Sequence, residues 1–146
     1  MKIKISEYRE ADVPLGGRIT EIGIDTQYLF INTEQGSVLM AALGGCCSNT
    51  MIHDIIGVKK VLNTGPLVSI RPTHQASEAC ENYTEPWDDC VQNYGLEIVV
   101  DHPEYGEVTC VVSYRNNSNG YYGGYLKLAG SNRRNVPLIT DDWMAS

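Results

Sequence analysis

The sequence predicts an α+β chain that is mostly β, with an antiparallel meander, a hairpin sheet and one short helix. Three observations carry this. Short runs alternate apolar and polar residues as half-buried strands do; clusters of Gly, Asn, Asp and Pro separate them; and one stretch, Asp54 to Leu62, is expected as a short helix.

Taken in order, Lys2 to Ile5 alternates as a short strand, and Arg9 to Gly17, with Pro14 and Gly16-Gly17, reads as a linking loop. Arg18 to Ile24 alternates, Asp25-Thr26 turns the chain, Gln27 to Ile31 is a second strand, and Asn32 to Gly36 turns it again. Ser37 to Leu43 is apolar at nearly every position between Gly36 and Gly44-Gly45, which reads as a buried strand, with a helix as the alternative. These three strands form the meander. Met51, Ile52, Ile55, Ile56, Val58, Val61 and Leu62 then fit an amphipathic helix interrupted by Gly57. Asp54 is placed to cap it, and Asn63-Thr64-Gly65-Pro66 to stop it. Leu67 to Arg71 is a brief strand. Gln92 to Asp101 and Glu107 to Tyr114 make a long hairpin, and Tyr121 to Leu128 returns beside it. Residues 1–146 suit a single β-rich domain with its core at about 18–128, an acidic surface loop at 73–90 and a C-terminal tail at 129–146.

The net charge of −7 is concentrated. Glu78, Glu81, Glu85, Asp88 and Asp89 lie between Gln75 and Cys90, where no Lys or Arg occurs; without that stretch 13 acids face 11 bases. Duplex nucleic acid is therefore not an expected partner, because its phosphate backbone rewards a broad basic face. No apolar run is long enough to span a bilayer, and the N-terminus does not read as a signal peptide. With an odd count of five cysteines, two of them adjacent, reduced thiols and a cytoplasmic location are expected, with a Cys80–Cys90 disulfide as the alternative. The cysteines and histidines lack the paired spacing of zinc ligands, and the acidic loop lacks the order of a calcium loop, so no metal or other cofactor is expected. No nucleophile elbow, phosphate loop or Cys–His signature is present, which favours binding over catalysis.

The stretch that exceeds structural need is Ser113 to Tyr125, Ser-Tyr-Arg-Asn-Asn-Ser-Asn-Gly-Tyr-Tyr-Gly-Gly-Tyr. Its amides, phenol rings and Arg115 can stack on a planar ligand and hydrogen-bond its edges. A decorated β-turn with tyrosines packed across strands is the alternative. The expected ligand-binding set is Arg115, Asn117, Asn119, Tyr121, Tyr122, Arg133, Arg134 and Arg71, with the guanidinium forks suited to phosphate.

The order Cys46-Cys47, His53-Asp54-Ile55-Ile56-Gly57, then Val108 to Tyr114 running into Ser118-Asn119-Gly120-Tyr121-Tyr122, resembles a family of small phage and bacterial proteins. Its signature is Cys-Cys … Asp-Ile-x-Gly … Ser-Asn-Gly-Tyr-Tyr. The resemblance covers roughly residues 18–128. The chain departs from it at Gly44-Gly45, Ser48 and Val58-Lys59, where the family is acidic, and at Ser113, where the family tends to have Arg. In organisation the chain is also similar to the phage anti-Thoeris sponges, oligomers that sequester cyclic ADP-ribose or cyclic oligonucleotide immune signals. That resemblance implies an anti-defence protein in the host cytoplasm that binds a nucleotide-derived ligand without catalysis. It places the adenine on a tyrosine of the Tyr121-Tyr122 pair, Asn119 on a base edge and arginines on the phosphates, and it implies a homo-oligomer enclosing the ligand between subunits. The competing classes are a small cytosolic enzyme acting on a nucleotide and a structural phage assembly protein.

Overall fold

The computed structural model describes residues 2–6, 9–44, 49–74, 90–118 and 124–140. The meander forms as its alternation predicts: β3 (Ile19–Ile24), β4 (Tyr28–Thr33) and β5 (Gly36–Gly44) pair antiparallel in sequence order. Asp25 turns the chain between β3 and β4 by accepting the backbone N–H groups of Gln27 and Tyr28 at 2.8 and 2.7 Å. Gly36, at φ 139, closes the next turn in a conformation that side chains disfavour. The long hairpin forms too, as β8 (Cys90–His102) and β9 (Gly106–Ser118), paired residue for residue. Its outer neighbours are β6 (Asn49–Ile56) on β9 and β7 (Leu67–His74) on β8, giving a sheet in the order β6-β9-β8-β7.

The strand after the focal stretch goes elsewhere. It is β10 (Gly124–Gly130), and it pairs with β5 in the meander sheet, whose order is β10-β5-β4-β3. The expected return beside the hairpin does not occur, because β6 and β8 already occupy both edges of β9. The chain therefore crosses from one sheet to the other between Ser118 and Gly124. The helix also differs from expectation: residues 49–56 are strand, and α1 covers only Val58–Val61. Its N-cap is Gly57, at φ 91, while Asp54 accepts the neighbouring N–H of Ile55 at 2.9 Å and caps nothing. Arg9 to Asp12, expected as loop, is strand β2, paired with β1 (Lys2–Ser6). Of the expected acidic excursion, Thr73 and His74 belong to β7 and Cys90 to β8; the rest lies outside the described residues.

Between the two four-stranded sheets lies the main core. Ile22, Leu29, Ile31, Val38 and Met40 supply one side; Ile52, Ile70, Leu96, Ile98, Val112 and Tyr114 supply the other. The core also takes in Ile5, Ala11 and Val13 before residue 18, and Ile139 after residue 128. A second cluster covers the outer face of the meander sheet, where Val136 and Leu138 pack on Tyr28, Phe30 and Leu39. The same segment caps the edge of β3: Ile24 N–H donates to Pro137 O and Ile139 N–H to Ile22 O. An uncapped edge would offer unpaired backbone groups to another chain. No described helix is long and apolar enough to cross a membrane.

The opposite edge, β10, is closed by one side chain. Ser6, 4% exposed, accepts the N–H of Leu126 at 2.6 Å and donates to its carbonyl at 3.2 Å. It also lies 3.4 Å from the hydroxyl of Tyr114. One hydroxyl thus does the work of a neighbouring strand at that position, and its loss leaves three buried polar groups short of a partner. Ser6→Ala is expected to lower stability by about 1–3 kcal/mol in a urea titration, the usual cost of orphaning buried groups.

Candidate ligand-binding site

Along β9 the even residues Cys110, Val112 and Tyr114 point into the core, so Val111, Ser113 and Arg115 point outward. Arg115 stands between Asn93 on β8 and Met51 on β6. Four residues along β9 on the same face, Val111 sits beside Glu97, which in turn pairs with Arg71. The row between them carries Asp54, Ser113, Gly95 and Thr73. Two arginine-bearing rows thus share one sheet face, separated by a row of small residues that ends in the Asp54 carboxylate.

Their electrostatic states differ. The Arg71 Nε donates to Glu97 at 2.7 Å, an ion pair that raises the guanidinium's affinity for its proton. The Arg115 Nε is closed off from solvent and has no hydrogen-bond partner among the described residues. Buried polar groups are nearly always partnered, and a guanidinium does not shed its proton to escape the cost.

Beneath this face the sandwich end is firmly built. Tyr94 and Tyr114 stack with centroids 5.1 Å apart and planes 13° apart. The Tyr94 hydroxyl accepts the N–H of Gly124, and Thr50 donates to the buried Asn116 amide oxygen at 2.7 Å. Gly124 lies so close to that pair that a Cβ there would fall 2.8 Å from Thr50 Cγ2 and 3.0 Å from Asn116 Cβ. Both ends of the crossover, Ser118 in β9 and Gly124 in β10, are held at this end of the molecule.

The other expected ligand residues are distributed as follows. Asn117 lies in β9 opposite Asn49 and Val91. Asn119, Tyr121 and Tyr122 lie outside the described residues. Arg134 stands over the Tyr28 ring, with its guanidinium carbon 5.4 Å from the centroid, and donates to the Tyr28 hydroxyl and the Ala129 carbonyl. Since Tyr28 is on the outer face of the meander sheet, Arg134 and its neighbour Arg133 do not join Arg115 and Arg71. Asn93 and Met51, which flank Arg115, were not readable as site residues because strand register alone brings them there.

No family model, curated protein or solved structure matches the chain.

A buried thiol lies within the core of the same sheet. Burial pushes Cys110 up from 9.0 to about 12, so it is not a thiolate near neutrality. Burial likewise raises Tyr114 from 10.0 to about 12, against the opposing Ser6 hydrogen bond. Both groups hold their protons more tightly folded than unfolded. Stability is accordingly expected to be full below about pH 9 and to fall as the pH rises toward 12, followed by urea midpoints across that window. Cys110 is expected to resist alkylation until the protein unfolds.

Proposed function

We infer that the protein binds a small nucleotide-derived anion, a cyclic ADP-ribose isomer or a cyclic oligonucleotide, and withholds it without converting it. In this reading it is a phage-type anti-defence protein of the host cytoplasm. The observation that carries the reading is the unpartnered, solvent-closed Nε of Arg115, on the strand that runs directly into the Asn- and Tyr-rich crossover. A phosphate offers several acceptor oxygens in the geometry of a guanidinium fork, and a charge-assisted contact there offsets the desolvation that Arg115 already bears. Asn93 and the amides of the crossover add donors and acceptors for a base or ribose edge, and the tyrosines of Tyr121-Tyr122 add rings on which a base stacks. Arg71, tied to Glu97, contributes from the same face, four residues along and two strands over. A homo-oligomer would close the ligand between subunits, since enclosed pockets are deeper than the surface of one small sheet.

The experiment is to incubate the protein with a cyclic ADP-ribose isomer, isolate the bound fraction by gel filtration and denature it. Recovery of the intact compound supports sequestration. Recovery of a converted product makes the protein an enzyme, and retention of nothing removes the proposed ligand.

A further inference from the structure

At the far end of the hairpin, roughly 30 Å from Arg115 along β9 at about 3.3 Å per residue, the tip of β8 and β9 stands beside α1. Between them opens a cleft of about 680 Å³ whose lining includes Asp54, Ile56, Lys59, Lys60, His102 and Tyr105. That volume falls within the roughly 300–1,000 Å³ of small-molecule sites. Its walls are unusual for a surface: Ile56 is 65% and Tyr105 74% exposed, leaving an aliphatic side chain and an aromatic ring facing water. Lys59 and Lys60 are exposed on the same rim and have no ion pair among the described residues, in a chain of net charge −7.

The histidine is fixed as a donor. His102 Nδ1 accepts the N–H of Glu104 at 3.0 Å, so in the neutral ring the proton is on Nε2. Its ring lies against Tyr105 with centroids 4.7 Å apart, which holds both rings in place.

We propose that this cleft is a second binding site, for a nucleoside monophosphate. The base lies on Tyr105, and the phosphate is held by Lys59, Lys60 and the Nε2–H of His102. Stacking on an aromatic face and charge-assisted contacts to phosphate are the two strongest terms such a site offers. Neither involves the Arg115 face.

The test is calorimetric titration of the full chain with AMP, adenosine and inorganic phosphate, repeated on Lys59→Ala/Lys60→Ala and on Tyr105→Ala. These side chains are exposed, so thermal melting of both variants is expected to match the parent. AMP is expected to bind saturably, with adenosine and phosphate each at least about tenfold weaker, and each variant is expected to lose about tenfold or more in AMP affinity. No saturable AMP binding overturns the proposal, as does phosphate alone binding as tightly as AMP, or AMP affinity undiminished in both variants.

Discussion

Gly65→Ala is expected to cost about 3 kcal/mol of stability, the upper range for forcing a methyl group into a filled site. A Cβ at Gly65 would run into the carbonyl oxygen of Asp101 and fall 2.6 Å from its carbon. Both atoms are β8 backbone, so no rotamer change relieves the clash. The segment has little freedom to retreat: Asn63 N–H donates to Ile19 O at 2.8 Å, and Asp101 N–H to Pro66 O at 3.0 Å. Pro66 also bridges to Arg18 at the start of β3. Against a typical total of about 5–15 kcal/mol, that loss should be plain in a urea titration. Gly106→Ala is the matched comparison. It has φ 73 but nothing within 4 Å of the added methyl, so it should cost only about 1 kcal/mol, from left-handed strain alone.

The second large effect is on affinity. A Tyr121→Ala, Tyr122→Ala double change is expected to weaken capture of the nucleotide-derived ligand by roughly one to two orders of magnitude per base stacked. Base–aromatic stacking contributes about 1–3 kcal/mol, and about 1.4 kcal/mol is a factor of ten. Melting temperature and gel-filtration volume are expected to stay near those of the parent. If the rings were core residues, the variant would instead melt early or aggregate, because losing two large buried rings costs several kcal/mol. A well-folded variant with undiminished affinity would remove the crossover from the site.

Strands were legible where alternation was uninterrupted, as in β3, β4, β8 and β9, and the turn at Asp25 was legible from its side-chain chemistry. The helix was overread for a specific reason. A β-bulge between Ile52 and Asp54 shifts the register of β6, so the inward residues run Ile52, Ile55 and then Val58. Spacing of three across a bulge imitates the period of a helix. Gly57 marked the true boundary: its left-handed φ of 91 lets the chain leave the strand, at a place where a Cβ would fall 2.8 Å from Thr109 O.

Alternation also says nothing about partners. Tyr125 to Leu128 reads the same whether it pairs with β9 or with β5, and the choice rests on both edges of β9 being taken. The candidate site follows the same division. Arg115 stood out by its neighbours in sequence, but its orphaned Nε, the register with Asn93 and the separation from Arg134 are long-range facts. The cleft beside Tyr105 joins residues from β6, α1 and the hairpin tip, and no local pattern announces it.

The most direct test of the central claim is the melting of wild type and Arg115→Met side by side, with and without a cyclic ADP-ribose isomer. If Arg115 is held for a ligand, the methionine variant removes an uncompensated buried donor, so unliganded it should melt at or above the wild-type temperature. Ligand at about a hundredfold over its dissociation constant should stabilise the wild type by about 2.7 kcal/mol and the variant hardly at all. An Arg115→Met protein that melts below wild type, yet gains the same stabilisation from the ligand, would make Arg115 a structural residue and contradict the account.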